Sequence, residues 1–169
     1  MLPRPNGGEA TAPAIHAAPS ARTEAQPSVV GGAGGSSRVL MIDNNAGDID
    51  LVAIACAELG QRIHWQRALD GVDGRAALER ICDGLAPPCD LVILDLNMPR
   101  MGGLELLAWI RAQASFADVP VVVLTSSHSP RDRQRCLEAG ADEVLLKPMI
   151  YEAYLQMAER LRPYLPGRD

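Results

Sequence analysis

The sequence predicts an α/β domain in which helices cover both faces of one doubly wound parallel sheet. From Arg38 onward, short apolar runs alternate with helical patterns five times in strict succession, as βα units do. The runs VLMI, LVIL and VVVL are apolar at every position, which suits strands buried on both sides. The runs also end on polar residues: Asp43-Asn44, Asp95, Thr125 and Lys147. In open parallel sheets, ligands bind beyond those carboxyl ends.

The elements follow in order. RVLMID is the first strand, and NNAGD the turn after it. IDLVAIACAELG places Leu51, Val52, Ala55 and Leu59 on one helical face, with Gly60 as the stop. RIHWQ reads as a short strand. Leu78, Ile81 and Leu85 mark a second helix that APP terminates. DLVILDL is the third strand and GGLELLAWIRAQA the third helix. VPVVVLTSS is the clearest strand. SPRDRQRCLEAGA gives a helix with Ser129 as N-cap, Pro130 at its first position and Gly140 at its stop. EVLLKP is the fifth strand, and a fifth helix is predicted from Tyr151 to Tyr164. Its apolar face comprises Ile150, Tyr151, Tyr154, Leu155, Ala158, Leu161 and Leu165. Part of that face must pack on the sheet. The remainder, the tyrosines above all, is a candidate dimer or partner surface.

Composition narrows the function classes. Residues 1–37 are Ala, Pro, Gly, Ser and Thr with almost no large apolar side chain, ending in GGAGGSS. Such a segment cannot offset the entropy of ordering, so a disordered tail is expected there and a folded domain over 38–169. Its many Pro and Gly residues also disfavour the amphipathic helix of a transit peptide. The net charge is −5, and the chain without residues 1–38 carries about −6, because that segment holds three Arg and two Glu. No nucleic-acid partner is expected from a surface of that sign. No apolar run reaches membrane-spanning length. Cys56, Cys82, Cys89 and Cys136 show no zinc spacing. Cys56 and Cys82 read as small buried hydrophobes, and a reducing, cytoplasmic setting is expected.

The strand-end residues suggest a definite chemistry. Two neighbouring carboxylates, Asp43 and Asp95, repel, and a hard cation with oxygen ligands would relieve them. Thr125 and Lys147 would hold phosphoryl oxygens through hydrogen bonding and charge. An aspartate placed between metal and phosphate can act as a nucleophile. The sequence contains neither a P-loop nor G-x-G-x-x-G, so nucleotide hydrolysis and dinucleotide redox chemistry have no support.

Taken together, VLMIDNNAGD, LVILDLNMPRMGG, VVVLTSS and AGADEVLLKP resemble the receiver domain of two-component response regulators, from about Arg38 to Leu165. The resemblance implies a flavodoxin-like (βα)5 fold with strand order 2-1-3-4-5. It makes Asp95 the phospho-acceptor, Thr125 and Lys147 the phosphate-sensing pair, and the Lys147–Pro148 bond cis. It implies an Mg²⁺ site from Asp43, Asp95 and the main-chain carbonyl of Asn97, with Asn44 as a further candidate ligand. The implied partner is a sensor histidine kinase or a histidine phosphotransfer protein. DNNAGDIDL and VPVVVLTSS look most like single-domain regulators of phytochrome-type kinases. The sequence ends after the fifth helix, so no output domain is expected.

Two positions depart from the family pattern. The second acid after the first strand is replaced by Asn44, which predicts weaker Mg²⁺ binding. Val144, three residues before Lys147, stands where the family usually has an aromatic ring. Output is therefore expected to work through the loop Ser126 to Ser129, or through dimerisation at the last strand-helix region. Asp48 reads as the cap of the first helix, His64 as structural, His128 as a solvated loop residue, and Trp65 and Trp109 as packing residues. One rival is a pseudo-receiver that binds partners without phosphorylation. A second is an aspartyl-phosphate phosphatase, which needs a second acid where Asn97 stands. A receiver is not an enzyme beyond promoting its own phosphoryl transfer and hydrolysis.

Overall fold

Along β1 (Ser37–Ile42), side chains alternate between two cores. Val39 and Met41 join one, and Leu40 and Ile42 the other, as the two-residue period of a strand requires. The same division recurs in β3 (Leu91–Asp95) and β4 (Val121–Thr125). These three strands form the middle of the sheet, between β2 (Ile63–Ala68) and β5 (Glu143–Leu146). All neighbours are parallel, in the order β2-β1-β3-β4-β5. This is the flavodoxin-like order expected from the sequence. The computed structural model describes residues 35–166. The tail expected over 1–37 lies outside them except for its last three residues, and Ser37 already pairs with Ile63.

Helices α1 (Ala46–Glu58) and α5 (Tyr151–Leu161) cover one face of the sheet. Helices α2 (Gly71–Cys82), α3 (Gly103–Ala112) and α4 (Pro130–Glu138) cover the other. In α4 the predicted signals act as expected. The Ser129 side chain accepts from the Asp132 N–H, Pro130 opens the helix, and Gly140 follows it with φ +102°.

Several expectations change. The buried stripe of α1 is Ile49, Val52, Ala55 and Cys56, while Leu51 is exposed and Leu59 half-buried. Leu51 lies about 100° around the helix from Val52, outside an arc set by i, i+3 and i+7 spacing. Helix α2 stops before APP: Gly84 takes φ +70°, its N–H donates to the Ile81 carbonyl, and the Leu85 N–H to that of Arg80. This cap leaves Leu85 exposed. Pro163, which has no N–H, ends α5 early, and the chain continues as a 3₁₀ turn (Arg162–Tyr164). Of its tyrosines, Tyr154 is buried and Tyr151 exposed; Ile150 is also exposed. Cys82 is exposed, against the buried role expected, and His64 lies exposed on β2. Trp65 and Trp109 pack against the cores as predicted, Trp109 also beneath the Arg75 guanidinium at 5.0 Å. No described helix is long and apolar enough to cross a membrane.

One clamp fixes the amino-terminal end of β4. Arg111 on α3 donates to the carbonyls of Gly140, Phe116 and Val119, and to the Asp142 carboxylate 2.8 Å away. Asp142 in turn accepts from the Val121 N–H at 2.7 Å. A single guanidinium fork thus ties α3, the end of α4 and two strand entries together.

Candidate functional site

At the carboxyl end of the sheet, three strands leave the ladder by the same local device. The side chain at the strand's end accepts the N–H two residues later, turning the chain away. Asp43 Oδ1 accepts from Asn45 at 2.9 Å, Asp95 Oδ1 from Asn97 at 3.2 Å, and Thr125 Oγ1 from Ser127 at 3.0 Å. Such self-capping suits Asp and Thr, whose short polar side chains reach their own backbone. Asp43, Asp95 and Thr125 are all buried. Behind Asp95, a Cβ at residue 103 would lie 2.3 Å from the Asp95 carbonyl oxygen. Glycine there lets α3 start directly against the site.

Lys147 completes the arrangement from β5. Its N–H donates to the Thr125 carbonyl at 2.8 Å, which fixes the start of the loop. Its Nζ then lies 2.8 Å from Asp43 Oδ2, 2.9 Å from Asp48 Oδ2 and 3.3 Å from Asp95 Oδ2. Three sequence-distant segments thus meet at one ammonium: the β1–α1 segment, the end of β3 and the end of β5, which carries Lys147 itself. The predicted residues Asp43, Asp95 and Lys147 are in direct ionic contact. Thr125 adjoins Lys147 through the backbone, while its hydroxyl belongs to the following loop.

The electrostatics follow from burial and charge number. Burial pushes the Asp95 carboxyl above its ordinary range, and the Asp43 charge adds to this; Lys147 and the Asn97 N–H oppose it. Burial favours a neutral Lys147, but its ion pairs with Asp43 and Asp48 and the Asp95 charge outweigh this. Its pKa therefore lies above the ordinary value, and it remains an ammonium. The donor set suits a hard divalent cation. Asp43 Oδ2 is buried and has no directed hydrogen bond among the described residues, only the Lys147 charge beside it. No cluster of three or more His, Cys, Asp or Glu side chains among the described residues is arranged to hold a metal. Two carboxylates would therefore need amide, main-chain and water oxygens to complete a ligand shell. Asn44 and Asn97 are both exposed beside those acids.

Two expectations are corrected here. Asn45, not Asp48, caps α1, its side chain accepting from the Gly47 N–H at 3.0 Å. Asp48 instead turns inward to Lys147, with the Tyr154 hydroxyl 3.4 Å from its other oxygen. No peptide among the described residues is cis. The Lys147–Pro148 bond is trans, the isomer that X–Pro bonds favour by about 0.5–1 kcal/mol. Asp48 and Tyr154 were invisible as site residues because nothing local links an acid in α1 to a lysine 99 positions later. Ser127 was likewise missed as the loop's organiser, donating to Asp132 at 2.6 Å and accepting from the Ser129 N–H.

Val144 lies outside the acidic cluster. Its side chain is buried, and its carbonyl accepts from Arg133 of α4 at 2.6 Å. A cavity of about 210 Å³, lined by Thr125, Ser127, Arg133 and Val144 among others, occupies the space beside it. The exposed His128 stands at its mouth, a loop residue as expected.

The model for the response regulator receiver domain matches residues 39–159. The chain belongs to the response regulator receiver family. Among curated relatives, the DNA-binding dual master transcriptional regulator RpaA of Synechocystis sp. is 33% identical over 132 residues, covering 78% of this chain and 50% of that protein. The probable methanogenesis regulatory protein FilR2 of Methanothrix harundinacea is 32% identical over 134 residues, covering 76% and 83%. The chain spans about half the length of the first relatives it matches. Among solved structures, the Mn²⁺-bound form of response regulator Rcp1 aligns with TM-score 0.69 and 25% identity, over 79% of this chain and 97% of that one. The phosphorylated cyanobacterial phytochrome response regulator RcpA shares the fold, with TM-score 0.70 at 24% identity over 78% and 94%.

The raised pKa of Asp95 has a measurable consequence. A carboxyl whose folded-state pKa exceeds its unfolded one takes up a proton more readily when folded, so its ionised form penalises folding at neutral pH. Asp95→Asn is expected to raise stability in urea denaturation at neutral pH. The gain should shrink as pH falls through the raised folded-state pKa and vanish below the unfolded value, about 3.9. A gain independent of pH would contradict this account.

Proposed function

We propose that this domain accepts a phosphoryl group on Asp95 from a phosphohistidine of a sensor histidine kinase or a histidine phosphotransfer protein. The observation that carries the reading is one ammonium, Lys147, in ion-pair contact with both Asp43 and Asp95 at the carboxyl end of the sheet. Asp95 attacks phosphorus, an O–P bond forms, and the P–N bond breaks with its electron pair returning to the imidazole. The product is an acyl phosphate. Lys147 offsets the charge of the phosphoryl oxygens, and Thr125 offers its hydroxyl once turned from its loop. Asp43, Asp95 and the Asn97 carbonyl would hold Mg²⁺, with the Asn44 side chain as a further oxygen donor. Bound there, the ion would reduce repulsion between the carboxylates and the incoming phosphate.

The signal leaves through the loop Ser126 to Ser129 and the last strand-helix region. No aromatic ring is available at Val144 to move inward. Leu146, Met149, Ile150 and Tyr151 are exposed there, Met149 almost completely at 94%, beside a groove of about 600 Å³. An apolar cluster of this kind suits a homodimer contact.

Intact-protein mass spectrometry after incubation with a small phosphodonor and Mg²⁺ tests the central step. One added phosphoryl group is expected, absent with EDTA and absent in Asp95→Asn. If neither a small donor nor any histidine kinase produces an adduct, binding without phosphorylation becomes the better account. Calorimetric titration of Asn44→Asp should give Mg²⁺ affinity about tenfold tighter than wild type, because affinity rises with ligand charge; equal affinities would remove Asn44 from the site. In sedimentation equilibrium, phosphorylation should increase the dimer fraction and Ile150→Asp should suppress it. A dimer insensitive to Ile150→Asp would move the contact elsewhere.

A further inference from the structure

Asp48 is the one member of the Lys147 cluster to which phosphoryl acceptance gives no task. It is not needed as a helix cap, because Asn45 fills that role. Its two oxygens are nevertheless placed closely, one 2.9 Å from Lys147 Nζ and the other 3.4 Å from the Tyr154 hydroxyl of α5. An ammonium has three N–H donors, and Lys147 faces three carboxylates, Asp43, Asp48 and Asp95. Of these, the Asp48 contact is the directed hydrogen bond, while Asp43 and Asp95 stand at ion-pair distance. A phosphoryl oxygen on Asp95 would compete with the Asp48 carboxylate for that hydrogen bond.

The three partners differ in what release would cost. Asp43 is wholly buried, so losing Lys147 would strand a charge without water. Asp95 carries the new group and stays beside Lys147. Asp48 has a side chain 21% exposed and keeps Tyr154 as a partner. Water can replace its lost bond, and it is the carboxylate that gives way most cheaply. The neutral Asn44 strengthens the case. With no acid at that position, Asp48 brings the carboxylates around Lys147 to three.

We infer that Asp48 is a positioning residue that competes with the phosphoryl group for Lys147. It holds the ammonium while Asp95 is free, and is displaced toward Tyr154 and water when Asp95 is modified. This rests on the reading of Asp95 as the acceptor. It adds a threshold, since a phosphoryl oxygen that takes the hydrogen bond now given to Asp48 must first displace that carboxylate.

The test compares wild type with Asp48→Asn, Asp48→Glu and Asp50→Asn. The last is a control for general charge, because Asp50 lies on the same helix but pairs with Arg67 at the surface. All four proteins are first checked for folding by circular dichroism. The phosphoryl mimic beryllofluoride is then titrated at saturating Mg²⁺, with bound fluorine followed by ¹⁹F NMR. Asp48→Asn should bind about tenfold tighter, equal to about 1.4 kcal/mol, while Asp48→Glu and Asp50→Asn stay near wild type. In the unliganded proteins, the Lys147 ammonium protons should exchange faster in Asp48→Asn and return toward wild type in Asp48→Glu. A purely structural role would weaken binding in Asp48→Asn or leave it unchanged, and either result overturns the inference. Equal tightening by Asp50→Asn overturns it too, assigning the effect to overall charge. If wild type binds no beryllofluoride, the acceptor reading fails and the inference falls with it; if wild type binds but Asp48→Asn does not differ, the inference alone fails.

Discussion

The structure turns on a shortage of positive charge. Among the described residues, Lys147 is the one cation in ion-pair contact with Asp43, Asp48 and Asp95, so three carboxylates share a single ammonium at the end of a parallel sheet. Two of those acids are buried, where an unpaired charge would cost several kcal/mol. The strands, their self-capping turns and the Lys147–Thr125 backbone bond hold the acids close together despite their repulsion. A site built this way is poised to take up further cationic character or to release a carboxylate. The phosphoryl acceptance proposed for Asp95 would draw on both tendencies.

Much of this was legible in the sequence, for physical reasons. Strands buried on both faces must be apolar throughout, so VLMI, LVIL and VVVL stood out, and the polar residues ending them had to lie along one edge. Ser129, Pro130 and Gly140 announced α4 because capping chemistry is local. The acids and lysine could be grouped because parallel connectivity brings every strand's carboxyl end to the same side.

The rest depended on distance or on competing local signals. Asp48 looks like a cap in any α1 of this kind, and only the fold reveals that Asn45 takes that role and frees it. Leu85 continues the spacing of α2, yet the positive φ of Gly84 ends the helix first. Tyr154 and Tyr151 sit three positions apart and read alike, but only the first turns beneath α1 toward Asp48. The trans Lys147–Pro148 bond departs from the isomer the resemblance implied, because a residue pattern does not by itself fix the peptide isomer beside it.

The Arg111 clamp gives the two ends of the sheet different duties. At the amino end, one guanidinium gathers three carbonyls and a carboxylate, an arrangement in which every charge is answered. At the carboxyl end, the charges are deliberately left unequal. Because the clamp lies at the opposite end of the sheet, under the proposed function sequence drift around Asn44 and Val144 would retune metal binding and signal output without dismantling the scaffold. That separation explains how a receiver can lose an acid and an aromatic ring from its usual set and still keep the shape that made both useful.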